Sequence, residues 1–208
     1  MRKILFFILI FSALLYSCAK TADQTRPINP DLLKYFSYKP GTYWVYKDSI
    51  AGEIDSFYVT DNTKSSSTGP PNIDGINISI HQVKEDGLGL DSTVWVMILA
   101  ENFVSYLSRG LPGNVDRDYS GLFSYPFQVE VIGSESINFK EAVVTNISLT
   151  LTVASTSFNN VAETHYYGYN YDDWSYINTD VGIIKMRWSD TANINNKVWE
   201  LQRWNIVR

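Results

Sequence analysis

The densest run of side chains able to hold a ligand is Tyr166, Tyr167, Tyr169, Tyr171, Trp174 and Tyr176, with Asn170, Asp172 and Asp173 among them. Flat aromatic faces stack on sugar rings, and amides or carboxylates beside them bond sugar hydroxyls. Tyr167, Tyr169, Tyr171 and Trp174 are therefore the candidate ligand-contact residues. The plainer alternative is a surface-facing hairpin whose aromatics pair across two strands. His81 and His165 are the two histidines; each reads as a solvated strand residue, and no zinc site is expected from them. The acidic groups Asp172-Asp173, Asp116 with Asp118, and Asp86 with Asp91 miss the spacing of an EF-hand loop and read as solvated carboxylates. No Gly-x-Ser-x-Gly turn is present, and nothing marks a pair of carboxylates flanking a sugar-binding cleft. No catalytic residue, metal ligand or cofactor is expected.

The chain has one cysteine, so no intramolecular disulfide can form within it. That cysteine, Cys18, follows a positive start (Arg2-Lys3) and an apolar run from Ile4 to Leu15 broken only by Ser12. Twelve residues are too few to span a bilayer, which takes roughly 20, so residues 1–17 read as a cleaved signal peptide. Leu15-Tyr16-Ser17-Cys18 resembles the bacterial lipobox: aliphatic at −3, small at −1, then cysteine. The resemblance implies a diacylglycerol thioether on the Cys18 sulfur and a further acyl chain, such as palmitate, on its amine. Two or three chains, at about 0.8 kcal/mol per buried CH₂, hold a protein firmly on a membrane. Ala19 is not the aspartate linked to inner-membrane retention, so the outer membrane is expected. Ala19-Lys20-Thr21-Ala22-Asp23 is not an acidic surface-export run, so the periplasmic face is expected.

The length of 208 residues leaves room, beyond the signal, for one domain with a substantial core. A hydrophobic fraction of 45% against 19% charged residues says that most of the chain folds, and the 14% aromatic content suits half-buried sheet surfaces. The net charge of −5 becomes more negative once Arg2 and Lys3 leave, which excludes nucleic acid as a partner.

Residues 18–34 are expected to hold the lipidated cysteine and a tether. At its end Asn29-Pro30-Asp31 looks like a helix start, with Leu32, Leu33 and Phe36 as a short apolar face and Pro40-Gly41 as the stop. Residues 35–208 read as one antiparallel β domain. Val143 to Val153 alternates, with Val143, Ile147, Leu149, Leu151 and Val153 on one parity; Ile76, Ile78 and Ile80 alternate in the same way. Further candidate strands are Thr42–Lys47, Phe57–Thr60, Val94–Leu99, Asn102–Leu107, Phe127–Ile132, Ala162–Tyr169, Gly182–Trp188 and Lys197–Val207. In the last, a bulge near Gln202 would bring Trp199, Leu201, Trp204 and Ile206 to one side. Turn signals stand at Asp61-Asn62, Gly69-Pro70-Pro71, Asp86-Gly87, Leu111-Pro112-Gly113 and Asn159-Asn160. The fold class is all-β: a sandwich, open barrel or half-barrel of roughly nine to eleven strands with one short N-terminal helix.

Tyr35-Phe36-Ser37-Tyr38-Lys39-Pro40-Gly41-Thr42-Tyr43-Trp44-Val45-Tyr46 resembles the opening of many small lipoproteins of the Bacteroidetes. Phe158-Asn159-Asn160-Val161 and Val181-Gly182-Ile183-Ile184-Lys185 resemble that family's late elements, with Ser37 and Asp180-Val181 departing from its usual residues. The resemblance implies an all-β envelope lipoprotein and brings no catalytic residues, because the family has no general assigned activity. Physically these motifs read as scaffold, with Gly182 allowing a close backbone approach.

Two functional readings follow. The first is a membrane-anchored, non-enzymatic domain that binds an unknown envelope ligand or protein, with glycan contact at the aromatic run. The second is an envelope hydrolase whose active site a single sequence does not reveal. The envelopes of related cells also carry an O-glycosylation system reading Asp-Ser/Thr followed by a small or aliphatic residue. Asp48-Ser49-Ile50, Asp91-Ser92-Thr93 and Asp190-Thr191-Ala192 fit it, which makes Ser49, Ser92 and Thr191 candidate acceptors.

Overall fold

A computed structural model describes residues 26–67, 73–84, 92–100, 103–109, 121–129, 131–134, 141–167, 172–189 and 196–208. Cys18, Tyr169, Tyr171 and Thr191 lie outside the described residues, as do Asp86, Asp91, Asp116 and Asp118.

The strands are β1 (Tyr43–Asp48), β2 (Ile54–Ser67), β3 (Ile73–Lys84), β4 (Ser92–Ala100), β5 (Phe103–Arg109), β6 (Gly121–Ser124), β7 (Val131–Ser134), β8 (Glu141–Val153), β9 (Thr156–Tyr167), β10 (Asp172–Asn178), β11 (Gly182–Trp188) and β12 (Lys197–Asn205). They form one sheet of twelve, ordered β6-β5-β4-β3-β2-β1-β12-β11-β10-β9-β8-β7. Sequence neighbours pair as antiparallel hairpins, and β1 pairs with β12 to join the two halves. The sheet curls into an open half-barrel whose edge strands, β6 and β7, approach each other. This is the expected all-β class; the short β6 is a strand that the sequence does not announce.

The concave face carries the core. Ile76 and Ile78 pair with Leu99 and Met97 and all four are buried, as is Ile80, so this parity of β3 and of the Met97–Leu99 part of β4 points inward. The Gln202 bulge is present: Val45 pairs with Arg203 and Tyr46 with Leu201, leaving Gln202 extra. Trp199 and Leu201 are buried, and Trp204 and Ile206 pack against the same core.

Several boundaries differ from the expected ones. The hairpin of β8 and β9 turns at Ala154-Ser155, both at positive φ (46° and 71°), as a two-residue loop between twisted strands requires. Asn159-Asn160 therefore lies inside β9, and Asp61-Asn62 inside β2, beside a register shift between Val59 and Asp61. Phe127 is not in a strand; its ring packs at 6.3 Å from Phe36 and 5.4 Å from Tyr125. Register shifts in β8 exchange its faces, so Val144 is 0% exposed while Ile147 is 39% exposed.

Helix α1 (Pro30–Phe36) closes one end of the concave face. Asn29 caps it, its side-chain oxygen accepting from the Asp31 N–H at 2.9 Å, with Pro30 in the first turn. Leu32 and Phe36, four apart and so on one stripe, are 0% exposed. Leu33 is a quarter-turn away and 37% exposed; it is not part of the buried face. The folded body thus includes α1 and begins by Arg26, whose carbonyl accepts from the Asp74 N–H at 3.1 Å.

The family-like motifs meet at this helix end. The indole N–H of Trp44 donates to the Val181 carbonyl at 2.8 Å, and the Tyr46 hydroxyl donates to the Ile183 carbonyl at 2.7 Å. Gly182 sits between these acceptors at φ +99°, and a Cβ there would lie 2.7 Å from the Tyr38 hydroxyl. The Tyr-Trp-Val-Tyr and Val-Gly-Ile segments are two sides of one core contact.

Candidate functional site

Strands β9 and β10 place the aromatic run at the end of the half-barrel opposite α1. Tyr167 pairs with Asp172, Tyr166 with Asp173 and His165 with Trp174. Alternation then sorts the side chains. Tyr166 is buried inward, and loss of hydration raises its phenol well above the ordinary range. Trp174 is half-buried and stacks on His165 with centroids 4.0 Å apart and planes 10° apart. His165 Nε2 contacts Asp172 Oδ1. Of the four candidate contact residues, Trp174 is thus placed on the outer surface beside a histidine and a carboxylate. Tyr167 is placed only by its backbone pairing.

The row continues along the outer face. Tyr176 pairs with Glu163, and burial first, then the Glu163 charge, raises the Tyr176 phenol. Thr145 donates to Glu163 at 2.6 Å, and Lys185 meets Glu200 at 2.8 Å. His81 is remote: β3 and β9 have five strands between them in the sheet, roughly 29 Å at about 4.8 Å per strand. Asp172 and Asp173 point to opposite faces. Among the described residues no group of three or more His, Cys, Asp or Glu could hold a metal ion.

The inward side of the same end holds buried polar groups: Asp48, Asp55, Gln82, Thr164 and Ser189, which sequence reasoning missed, and Asp173, which was expected to be solvated but is 3% exposed because strand alternation turns it inward. Gln82 donates to Asp55 at 2.6 Å, and the Ser189 N–H donates to Asp173 at 3.2 Å. Asp48 Oδ1 accepts from the N–H groups of Ile50 and Val198, both at 3.0 Å, closing the turn after β1 and pinning β12. Its other oxygen, Oδ2, and the indole nitrogen of Trp199 are buried without a hydrogen-bond partner among the described residues. Asp48 and Trp199 face each other directly in the β1–β12 ladder, and they are 0% and 2% exposed. A buried acceptor and a buried donor on paired residues suit one hydroxyl or one water molecule. Trp188 packs on Trp199 with centroids 6.0 Å apart, and Lys197 lies 5.3 Å above the Trp199 ring. The available signal was parity, since Asp48 shares a face with Trp44 and Tyr46.

Ser49 is exposed in the turn that Asp48 closes, its N–H donating to the Val198 carbonyl at 2.8 Å. Ser92 opens β4 and pairs with Val83. Among the described residues no helix is long and apolar enough to cross a membrane.

No protein-family model and no curated protein matches the chain. Among solved structures it is similar to a putative lipoprotein from Parabacteroides distasonis, with a TM-score of 0.46 and 12% sequence identity, covering 82% of this chain and 98% of that one.

Proposed function

We propose that the chain is a lipid-anchored protein of the bacterial cell envelope. In this reading the half-barrel is a non-enzymatic binding domain that presents the Trp174 surface to a hydroxylated ligand such as a glycan. The observation that carries the anchor is Leu15-Tyr16-Ser17-Cys18 directly behind a short apolar run with Arg2-Lys3 before it. The outer membrane and its periplasmic side are the proposed location. Support for the contact surface comes from Trp174, half-buried beside His165 and Asp172, which offers an aromatic face fringed by hydrogen-bonding groups. Tyr167, Tyr169 and Tyr171 complete the proposed contact set, and Ser49, Ser92 and Thr191 are the proposed O-glycan acceptors.

Two measurements test this. Intact mass of protein from the native host should show an acylated Cys18, and Cys18→Ala should leave the signal uncleaved or release the protein from membranes; an unmodified mature cysteine sinks the anchor. Titration calorimetry of a panel of envelope saccharides against the protein and its Trp174→Ala variant tests the surface. Binding that is unchanged in the variant, or undetectable to millimolar saccharide throughout the panel, ends the glycan reading.

A further inference from the structure

We propose that the α1 end of the half-barrel faces the bilayer and touches its anionic headgroups, with the Trp174 and Asp48 end held away from it. The proposal rests on lipid anchoring at Cys18 and adds the orientation and the contact surface.

The first argument is reach. Seven residues separate Cys18 from Arg26, so the tether spans at most roughly 29 Å at about 3.6 Å per residue. The chain joins the body where the Arg26 carbonyl accepts from Asp74, at the α1 end. Asp74 pairs with Ser66, and β2 runs from there to Ile54, beside the turn that follows β1. Twelve strand residues at about 3.3 Å each put that turn roughly 40 Å from the entry point. A body standing on that turn would hold the entry point above the reach of the tether.

The second argument is the surface itself. At the α1 end Leu33 is the one exposed apolar residue of the helix, and Lys34 and Lys39 are exposed beside it. Arg208 joins them, its guanidinium bound to the carbonyls of Tyr35, Thr179 and Asp180. Asp31 and Asp180 are the carboxylates near Lys34, and Asp74 is exposed with Arg26 at the entry point, so this end gathers four cations, Arg26, Lys34, Lys39 and Arg208, among carboxylates, in a chain of net charge −5. At the opposite end the exposed carboxylates Asp172 and Glu53 are each paired with a basic group, His165 and Lys197. Anionic headgroups favour clustered Lys and Arg, and an exposed leucine between them enters the interface.

The test uses the lipidated full chain in vesicles of phosphatidylethanolamine and phosphatidylglycerol. An environment-sensitive dye is placed in turn at Leu33→Cys, Ile50→Cys and Ile147→Cys, and quenching by headgroup-level spin-labelled lipid is measured. Several-fold stronger quenching at position 33 than at 50 or 147 is expected, and weaker quenching at 33 in Lys34→Glu/Lys39→Glu. Equal quenching at 33 and 147 means the body lies on its side and overturns the proposal, as does stronger quenching at 50. Flotation of the same samples separates the premises: protein that does not float with vesicles refutes the anchor, whereas floating protein with no quenching at 33 refutes only the orientation.

Discussion

Replacing Gly182 by alanine sets a methyl group 2.7 Å from the Tyr38 hydroxyl, on a backbone at φ +99°. Two costs add. A side chain at positive φ costs about 1–2 kcal/mol, because Cβ crowds the carbonyl oxygen. The overlap with Tyr38 costs about 1–3 kcal/mol more, the range for an added methylene in a filled core. Tyr38 cannot swing aside cheaply, since it is buried between Phe36 (6.4 Å) and Trp44 (4.9 Å). The total is about 2–5 kcal/mol, a fall in Tm of roughly 5–15 °C for a domain of this size. Tyr38→Phe separates the two parts. The Tyr38 hydroxyl is buried without a hydrogen-bond partner among the described residues, so its removal alone should be neutral or stabilising by up to about 1 kcal/mol. In the double variant the overlap disappears while the φ cost stays, so Tyr38→Phe should recover about 1–3 kcal/mol of the Gly182→Ala loss. Urea unfolding of the four proteins measures the cycle. Gly182→Ala within 0.5 kcal/mol of the parent, about the noise of such comparisons, or a double variant no more stable than Gly182→Ala, refutes the reasoning.

Burial raises the phenols of Tyr38, Tyr46 and Tyr166 in the folded protein, so the folded state holds protons that the unfolded chain releases near pH 10. Stability is then full below pH 10 and falls as pH rises further, by about 1.4 kcal/mol per pH unit for each phenol. Phenolate absorbance followed with circular dichroism should show these tyrosines ionising only as the protein unfolds; titration of all 14 before unfolding refutes it. Asp48→Ala removes the acceptor for two N–H groups and should cost about 2–4 kcal/mol in urea unfolding, whereas Asp48→Asn, which keeps one oxygen, should cost less. Equal losses would show that the Oδ1 bonds are not the cause. Peptide mass spectrometry of protein from the native host should find a glycan on at least one of Ser49, Ser92 and Thr191, and three bare residues close that proposal.

What the sequence makes legible is what neighbouring residues decide. The cap at Asn29, the inward parity of Ile76, Ile78 and Ile80, and the bulge at Gln202 follow from local chemistry or from apolar residues that need one face. The misread positions have a common cause. Asn62 and Asn160 belong to residue types that favour turns because they bond locally and tolerate positive φ. A strongly curved sheet uses the same properties for irregularities inside strands. Asn62 sits beside the β2 register shift and donates to the Tyr38 carbonyl at 2.6 Å, while Asn160 takes φ 55° within β9. Meanwhile Ala154-Ser155, with no turn signature, makes the actual turn. At Asp48, parity with Trp44 and Tyr46 signals an inward side chain but not its partners. The bond from the Val198 N–H to Asp48 spans 150 positions, and it depends on a β1–β12 pairing that no local pattern encodes.

The concave face is therefore not uniform in polarity. Toward α1 it is sealed by Leu32, Phe36, Trp44 and Ile78; the donors on Trp44 and Tyr46 end on backbone carbonyls, and the Tyr38 hydroxyl is the one buried side-chain atom there without a partner among the described residues. Each large side chain there adds about 1.5–3 kcal/mol by burial, so that end is shaped by stability. The opposite end keeps Asp48 Oδ2 and the Trp199 indole buried without partners, an arrangement that a fold optimised for stability alone would remove, since each such group costs about 1–3 kcal/mol. Uncompensated polar atoms are tolerated where something else supplies the partner. Holding this end away from the bilayer would place the Trp174 surface, on the outer side of the same strands, where a soluble ligand can approach.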